Sequence, residues 1–157
     1  MKYIKQGLYK VKDEYFSKFR NDYFMDNKQE KRPYYYAIKD NKGIIWLIPI
    51  SSKVPKYKKK IEKDMEKHGK CIFYHIGKIK NKEHAFLIGN IFPVIPKYIR
   101  GSFTINNKPY IVEDELITKK INAKTKIYLS MVRYGKLKPF VDILKIEKEL
   151  LKELKNE

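Results

Sequence analysis

Three polar residues that could act on a phosphate stand together where Ser51, Ser52 and Lys53 follow the apolar run IIWLIPI. Two hydroxyl groups and an ammonium group at the end of a strand can converge on one phosphate, and the ammonium offsets its negative charge. The same three residues could instead only end the strand or cap a following helix. Composition and neighbouring segments bear on these two interpretations.

The charge of the chain favours a polyanionic partner. The 157 residues include 36 Lys and Arg against 18 Asp and Glu, which gives a formal net charge of +18. Such a surface attracts nucleic acid or an anionic membrane. An AT-rich genome also enriches Lys, but Glu would then rise with it. A membrane-surface role needs a basic amphipathic helix, whereas the C-terminal segment alternates Lys and Glu. We therefore expect nucleic acid as the partner and no membrane.

Length and motif content narrow the class of protein. A chain of 157 residues suits one domain, residues 1–157, with its own hydrophobic core. A single cysteine, Cys71, and the lack of a signal peptide or long apolar span predict a cytoplasmic protein. The sequence has no glycine-rich phosphate loop, no zinc-ligand spacing and no carboxylate set of the two-metal nucleases. We expect no metal and no other cofactor.

The elements that must position Ser51 to Lys53 are predicted to be antiparallel strands with helices added. Alternating or β-branched runs predict strands, Asn- and Gly-containing segments predict hairpin turns, and apolar residues at helical spacing predict helices. The predicted strands cover residues 8–11, 34–39, 44–50, 71–79 and 85–91. The predicted turns cover residues 40–43, 80–82 and 106–107. One predicted helix has Asp13 as its N-terminal cap, a second begins after Pro55, and two more begin near residues 117 and 141. Strands first and helices later indicate an α+β fold with a compact antiparallel, barrel-like β core.

The order of these segments resembles a known family. The segments RPYYYAIKDNKGIIWLIPISSK, CIFYHIGKI and AFLIGNIFPVIPKYI follow one another as in the endoribonuclease toxins of type III toxin-antitoxin systems, the ToxN, AbiQ and CptN proteins. That family pairs an Arg-Pro-aromatic strand with a strand ending in Pro, an aliphatic residue, Ser or Thr, and Ser. The resemblance covers most of residues 7–100, and the run of three tyrosines at 34–36 is most similar to the CptN branch.

The resemblance implies a fold, an activity and partners. It implies a barrel-like core similar to the Kid and MazF toxins, elaborated by α-helices. It implies metal-independent cleavage of cellular or phage RNA. It also implies a small repeat RNA antitoxin, of pseudoknot type, that the toxin processes and that inhibits it in a closed toxin-RNA assembly.

Ser51 and Ser52 match the Ser/Thr-Ser motif of that family, but the next positions depart from it. Relatives such as ToxN have Pro and then Lys, whereas here Lys53 follows directly and Val54 comes next. Lys53 is therefore the expected catalytic cation, with Lys56 as the alternative.

Metal-independent RNA cleavage uses the neighbouring 2′-hydroxyl as nucleophile and leaves a 2′,3′-cyclic phosphate. The protein must help to remove the proton of that hydroxyl, stabilise charge on the phosphorane and support the leaving 5′-oxygen. Ser51, Ser52 and Lys53 suit the second task. His75 could serve as a general acid or base near neutral pH, or could equally be a histidine of the barrel interior.

Aromatic and basic residues near these positions are predicted to bind RNA. Side chains alternate along a strand, so the outward tyrosines at 34–36 could stack on bases, and at least one belongs to the core with Trp46. The predicted RNA-binding residues are Tyr34, Tyr36, Lys39, Lys56, Lys58, Lys59 and Lys60. A non-catalytic RNA- or DNA-binding module would explain the charge and the aromatics equally well. It would not explain the position of the Ser-Ser-Lys segment or the ordered family resemblance.

Overall fold

The structure is a computed structural model and describes residues 3–157. In chain order its elements are β1 (Leu8–Val11), α1 (Asp13–Lys18), β2 (Tyr34–Lys39), β3 (Ile45–Ser51), α2 (Val54–His68), β4 (His75–Ile79), β5 (Lys82–Phe86), β6 (Phe92–Val94), β7 (Ile99–Ser102), β8 (Thr104–Ile105), β9 (Lys108–Pro109), α3 (Glu115–Arg133) and α4 (Ile143–Lys155). The predicted α+β class, with an antiparallel sheet, is confirmed.

The main sheet is antiparallel and has the order β4-β5-β3-β2-β1-β7. Strand β3 is central: β2 pairs with one edge, while β6 and β5 pair with the first and last residues of the other edge. The order ends at β4 and β7, and no pairing of the described residues joins these two strands. The sheet is therefore open, and the predicted barrel-like closure is not observed.

Local turn chemistry explains the hairpins around the central strands. The carboxylate of Asp40 accepts the backbone N–H groups of Lys42 and Ile44 at 2.9 and 3.1 Å, which closes the predicted β2–β3 turn. Lys80 and Asn81 have positive φ values of 50° and 66° and form the two-residue turn between β4 and β5. Such turns match the twist of antiparallel strands.

Three predictions about local structure need correction. The strand predicted at 71–79 begins only at His75, and the apolar residues 71–74 lie in the segment before it. The predicted strand at 85–91 is divided into β5, a short 3-10 turn at Ile88–Asn90 and β6. Asp13 does not cap α1: its own backbone N–H donates to the Glu30 carboxylate at 2.7 Å, and Lys12 occupies the cap position.

Helix α2 packs beside β5, and its buried side chains lie in its first turn. It buries Val54 and Tyr57, whereas 49% of Met65 is exposed. The helix ends at Gly69, whose φ of 72° is the left-handed conformation that glycine adopts without steric cost. Tyr57 contacts a small apolar cluster with Ala85 and Leu87 of the β5 segment.

Candidate active site at the start of helix α2

The Ser-Ser-Lys segment connects β3 directly to α2. Ser51 is the last residue of β3 and is buried, and its Oγ accepts the backbone N–H of Lys53 at 3.1 Å. Ser52 and Lys53 are exposed. The two hydroxyls therefore differ: that of Ser51 holds the turn, and that of Ser52 faces solvent.

The first turn of α2 is cationic. Lys53 occupies the cap position, and its side chain makes no capping hydrogen bond. The first turn contains Lys56 and no acidic residue. The start of a helix carries a partial positive charge, so it attracts anions. Here the backbone N–H of Val54 already donates to the Ser52 carbonyl oxygen at 2.9 Å, and Pro55 has no N–H, so the attraction depends mainly on charge. Lys53 and Lys56 add two full positive charges, which suits this position for a phosphate.

Arg32 is a buried cation beside this segment, and sequence reasoning did not assign it a role. Its Nη1 donates to the Ile50 carbonyl oxygen at 3.0 Å and its Nε to the Asp26 carbonyl oxygen at 2.7 Å. A guanidinium group has five N–H donors, so these two bonds leave others available. The register of the β2–β3 hairpin is the signal that could have identified Arg32. Tyr34 pairs with Pro49, and extending that antiparallel register by two residues brings Arg32 opposite Ser51.

The predicted lysine cluster divides between two sides of α2. Lys56 and Lys60 lie over the Tyr57 ring, with Nζ 5.4 and 5.6 Å from its centroid. Burial raises the pKa of Tyr57, and the nearby Arg32 charge partly opposes that shift. Lys58 instead pairs with Glu83 at 3.1 Å, and Lys59 is exposed. Of the cluster, Lys56 and Lys60 share the side of Tyr57.

The structure separates His75 from the Ser-Ser-Lys segment. Ser51 pairs with Ala85, whereas His75 pairs with Phe86, and successive side chains of a strand point to opposite faces. Ala85 contacts Tyr57 of α2, but His75 Nδ1 lies 3.2 Å from Lys124 Nζ of α3. The predicted catalytic set is thus not brought together, because the register puts His75 on the other face of the sheet.

The environment of His75 keeps its imidazole neutral. Burial, together with the positive charges of Lys124 and Lys120, lowers its pKa to about 4. Burial also lowers the pKa of Lys124, whose Nζ donates to the Tyr74 carbonyl oxygen at 3.1 Å. This pair belongs to the packing of α3 against β4.

Three predicted RNA-binding residues have placements that do not suit that role in this site. Tyr34 is 1% exposed and donates its hydroxyl to Asn27, and Tyr36 is 2% exposed. Neither ring offers a face to a base, because both faces of β2 are covered. Lys39 is exposed at the other end of β2, beside Ile45, about 20 Å along β3 from Ser51 at the usual strand rise.

Two kinds of feature are absent from the described residues. Residues 3–157 contain no group of three or more His, Cys, Asp or Glu that could hold a metal ion. Within the same range, no helix combines the length and the apolar character needed to cross a membrane.

Comparison with known proteins establishes the fold. No protein-family model matches the sequence, and no curated protein matches it. Among solved structures, the chain is similar to AbiQ, described as a lactococcal anti-phage endoribonuclease belonging to the type III toxin-antitoxin system. The TM-score is 0.63 at 18% sequence identity, and the match covers 93% of this chain and 97% of the AbiQ chain. The two proteins share a fold over nearly their whole lengths.

Proposed function

We propose that this chain is the endoribonuclease toxin of a type III toxin-antitoxin system and that it cuts RNA without a metal ion. The observation that supports this most is the cationic, uncapped start of α2, where the exposed Ser52 and Lys53 lie beside the buried Arg32. The fold shared with AbiQ supports RNA as the substrate. Within the type III toxins we propose the CptN branch, because of the three consecutive tyrosines of β2.

The residues at the start of α2 have distinct proposed roles. Ser52 donates its hydroxyl to a non-bridging oxygen of the scissile phosphate, and Lys53 balances the charge that develops on the phosphorane. Ser51 positions Lys53 by accepting its backbone N–H. One well-placed donor of this kind lowers the barrier by about 3 kcal/mol. Lys56 is the alternative cation, and His75 is not part of this group.

The nucleophile in this proposal is the 2′-hydroxyl of the substrate. It attacks the adjacent phosphorus, the bond to the 5′-oxygen breaks, and a proton passes to that leaving oxygen. The products are a 2′,3′-cyclic phosphate and a free 5′-hydroxyl, and no covalent bond to the protein forms.

The proposed partner is a repeat RNA antitoxin that the toxin cuts and then retains in a closed assembly. A formal net charge of +18 supports a large RNA-contacting surface. Expression of the toxin alone should stop bacterial growth, and co-expression of the repeat RNA should restore it.

The test is RNA cleavage by purified protein in EDTA, with analysis of the product ends. Ser52→Ala and Lys53→Ala should each lower the cleavage rate by about 100-fold while RNA binding persists. Ser130→Ala and Lys126→Ala are matched controls, because both residues are exposed on α3, away from this segment.

Two outcomes would count against the assignment. Full cleavage by both α2 variants would remove Ser52 and Lys53 from the chemistry. Binding of RNA without any cleavage by the unmodified protein would favour a non-catalytic RNA-binding module.

A further inference from the structure

A groove beside α2 combines basic and aromatic side chains that the proposed catalytic group does not use. Its volume is about 380 Å³, within the range of about 300–1,000 Å³ typical of ligand sites. Helix α2, the segment before β4 and the connection between α3 and α4 form its walls. The lining includes Lys60, Lys63 and Lys138, the rings of Tyr74 and Phe140, and one acidic residue, Asp64.

The most exposed aromatic ring of this groove is that of Phe140. This side chain is 78% exposed, although Tyr23 stacks against it with centroids 5.3 Å apart and an interplanar angle of 22°. Tyr23 is itself 57% exposed. Two stacked aromatic rings that are exposed to solvent beside lysines indicate an interaction surface and do not belong to the hydrophobic core.

The groove is continuous with the start of α2. Lys56, Lys60 and Lys63 recur at helical spacing and so lie along one side of the helix. Lys60 Nζ lies 5.6 Å from the Tyr57 ring centroid and 5.7 Å from that of Tyr74, a residue that lines the groove. From Lys53 to Lys63 the helix advances about 15 Å. A row of cations therefore leads from the proposed catalytic segment to the aromatic groove.

We propose that this groove binds unpaired nucleotides of the RNA whose scissile phosphate lies at the start of α2, with one base stacked on Phe140. The inference rests on the proposed function and names the surface that holds its substrate. Charge complementarity selects RNA, since three lysines surround the rings against one acidic residue. Bases stack on aromatic rings while lysines contact the phosphates between them. Phe140 takes the stacking role that the sequence assigned to Tyr34 and Tyr36.

The first test compares Phe140→Ala with Tyr134→Ala. Tyr134 is 79% exposed but lies in a different groove with Trp46 and Arg133, so it is a matched control. The probe is a mixed-sequence single-stranded RNA of about 12 nucleotides, a usual site size, with methylated 2′-hydroxyls that prevent cleavage. Phe140→Ala should raise the Kd about 5- to 100-fold, and Tyr134→Ala should leave it unchanged.

The second test compares lysines that line the groove with lysines of α4. Replacing Lys60 and Lys63 together by Gln should lower the slope of log K against log salt by about 1.4, since each lost phosphate contact removes about 0.7. Replacing Lys148 and Lys152, two exposed lysines of α4 outside the groove lining, by Gln removes the same charge and should leave the slope unchanged. Circular dichroism and thermal melting check that all variants fold.

Several outcomes would overturn the groove assignment. Equal losses of affinity for Phe140→Ala and Tyr134→Ala, or equal slopes for the two lysine pairs, would reject it even if the protein cuts RNA. Concentration-dependent dimerisation that Phe140→Ala abolishes, with RNA affinity unchanged, would identify a second copy as the occupant. If the unmodified protein neither bound nor cut RNA, the proposed function itself would fail, and the inference with it.

Discussion

Helices α2 and α3 begin in opposite ways. At the start of α3, the Asp114 carboxylate accepts the backbone N–H groups of Leu116 and Ile117 at 3.0 and 3.3 Å, and Glu115 adds a negative charge in the first turn. At the start of α2, a lysine occupies the cap position, and the first turn has no acidic residue. An aspartate cap stabilises a helix, whereas a lysine there adds charge of the same sign as the helix end.

The starts of the other helices also differ from that of α2. Asp142 caps α4 by accepting the backbone N–H of Lys145 at 3.2 Å. Helix α1 also has a lysine, Lys12, at its cap position and no side-chain cap, but its first turn contains Asp13 and Glu14. Among the described helices, α2 alone lacks both an acidic cap and an acidic residue in its first turn. The positive charge at the start of α2 lowers local helix stability and suits the phosphate of the proposed function.

The largest expected effect comes from giving α2 the cap that α3 has. Lys53→Asp supplies an acceptor for the backbone N–H of Lys56, since Pro55 before it has none, and should raise the free energy of unfolding by up to about 1 kcal/mol. Under the proposed function the same change also repels the scissile phosphate and should lower RNA cleavage by about 100-fold or more. Urea unfolding and a cleavage assay measure the two effects on one protein. A variant that keeps full cleavage would show that the open helix start has no part in the reaction.

The converse change at α3 should affect stability alone. Asp114→Ala removes the cap and should lower the free energy of unfolding by about 1 kcal/mol, which shifts Tm down by about 2–4 °C. RNA cleavage should not change at temperatures where the variant is folded. Glu113→Ala is the control, because this exposed neighbour precedes the capping residue. An unchanged Tm for Asp114→Ala would mean that the cap hydrogen bonds contribute nothing measurable.

The smallest expected effect concerns His75 on the opposite face of the sheet. Its folded pKa of about 4 lies below the ordinary value of 6.5. Between these values the unfolded chain binds more protons, so the free energy of unfolding falls as pH decreases from about 6.5 towards 4. His75→Gln should flatten this dependence, measured by urea unfolding at pH 7 and pH 5, and should change cleavage at pH 7 by less than about threefold.

Either of two results would return His75 to the catalytic group. One is a loss of cleavage by His75→Gln as large as that of Ser52→Ala. The other is an NMR titration that puts the imidazole pKa near neutrality when RNA is bound, which would require the ring to leave its place beside Lys124.

Features governed by local chemistry were predicted well from the sequence. The turn at Asp40 to Gly43 is closed by hydrogen bonds within the turn itself, and β2 begins and ends at the predicted residues. The position of Ser51 at the end of β3 follows from the same hairpin. These predictions needed no knowledge of distant parts of the chain.

Features set by distant packing were missed. Tyr34 and Tyr36 were expected to alternate with a buried neighbour, but residues 34–37 are all buried because β2 is covered on both faces. The unbroken apolar run Tyr-Tyr-Tyr-Ala was the available signal, since a half-exposed strand alternates polar and apolar residues. The face of His75 depends on the register across three strands, and the exposure of Phe140 depends on how the α3–α4 connection lies against Tyr23.

The open sheet also bears on folding kinetics. Strand β1 pairs with β2, which follows it closely in the chain, and with β7, where Tyr9 meets Ser102. Closing a pair between such distant residues restricts a long loop, so it is slower than forming the hairpins. The β4–β5 and β2–β3 hairpins can assemble from short loops. We therefore expect the part of the sheet that carries Ser51 to form early and the β1–β7 pairing to form last.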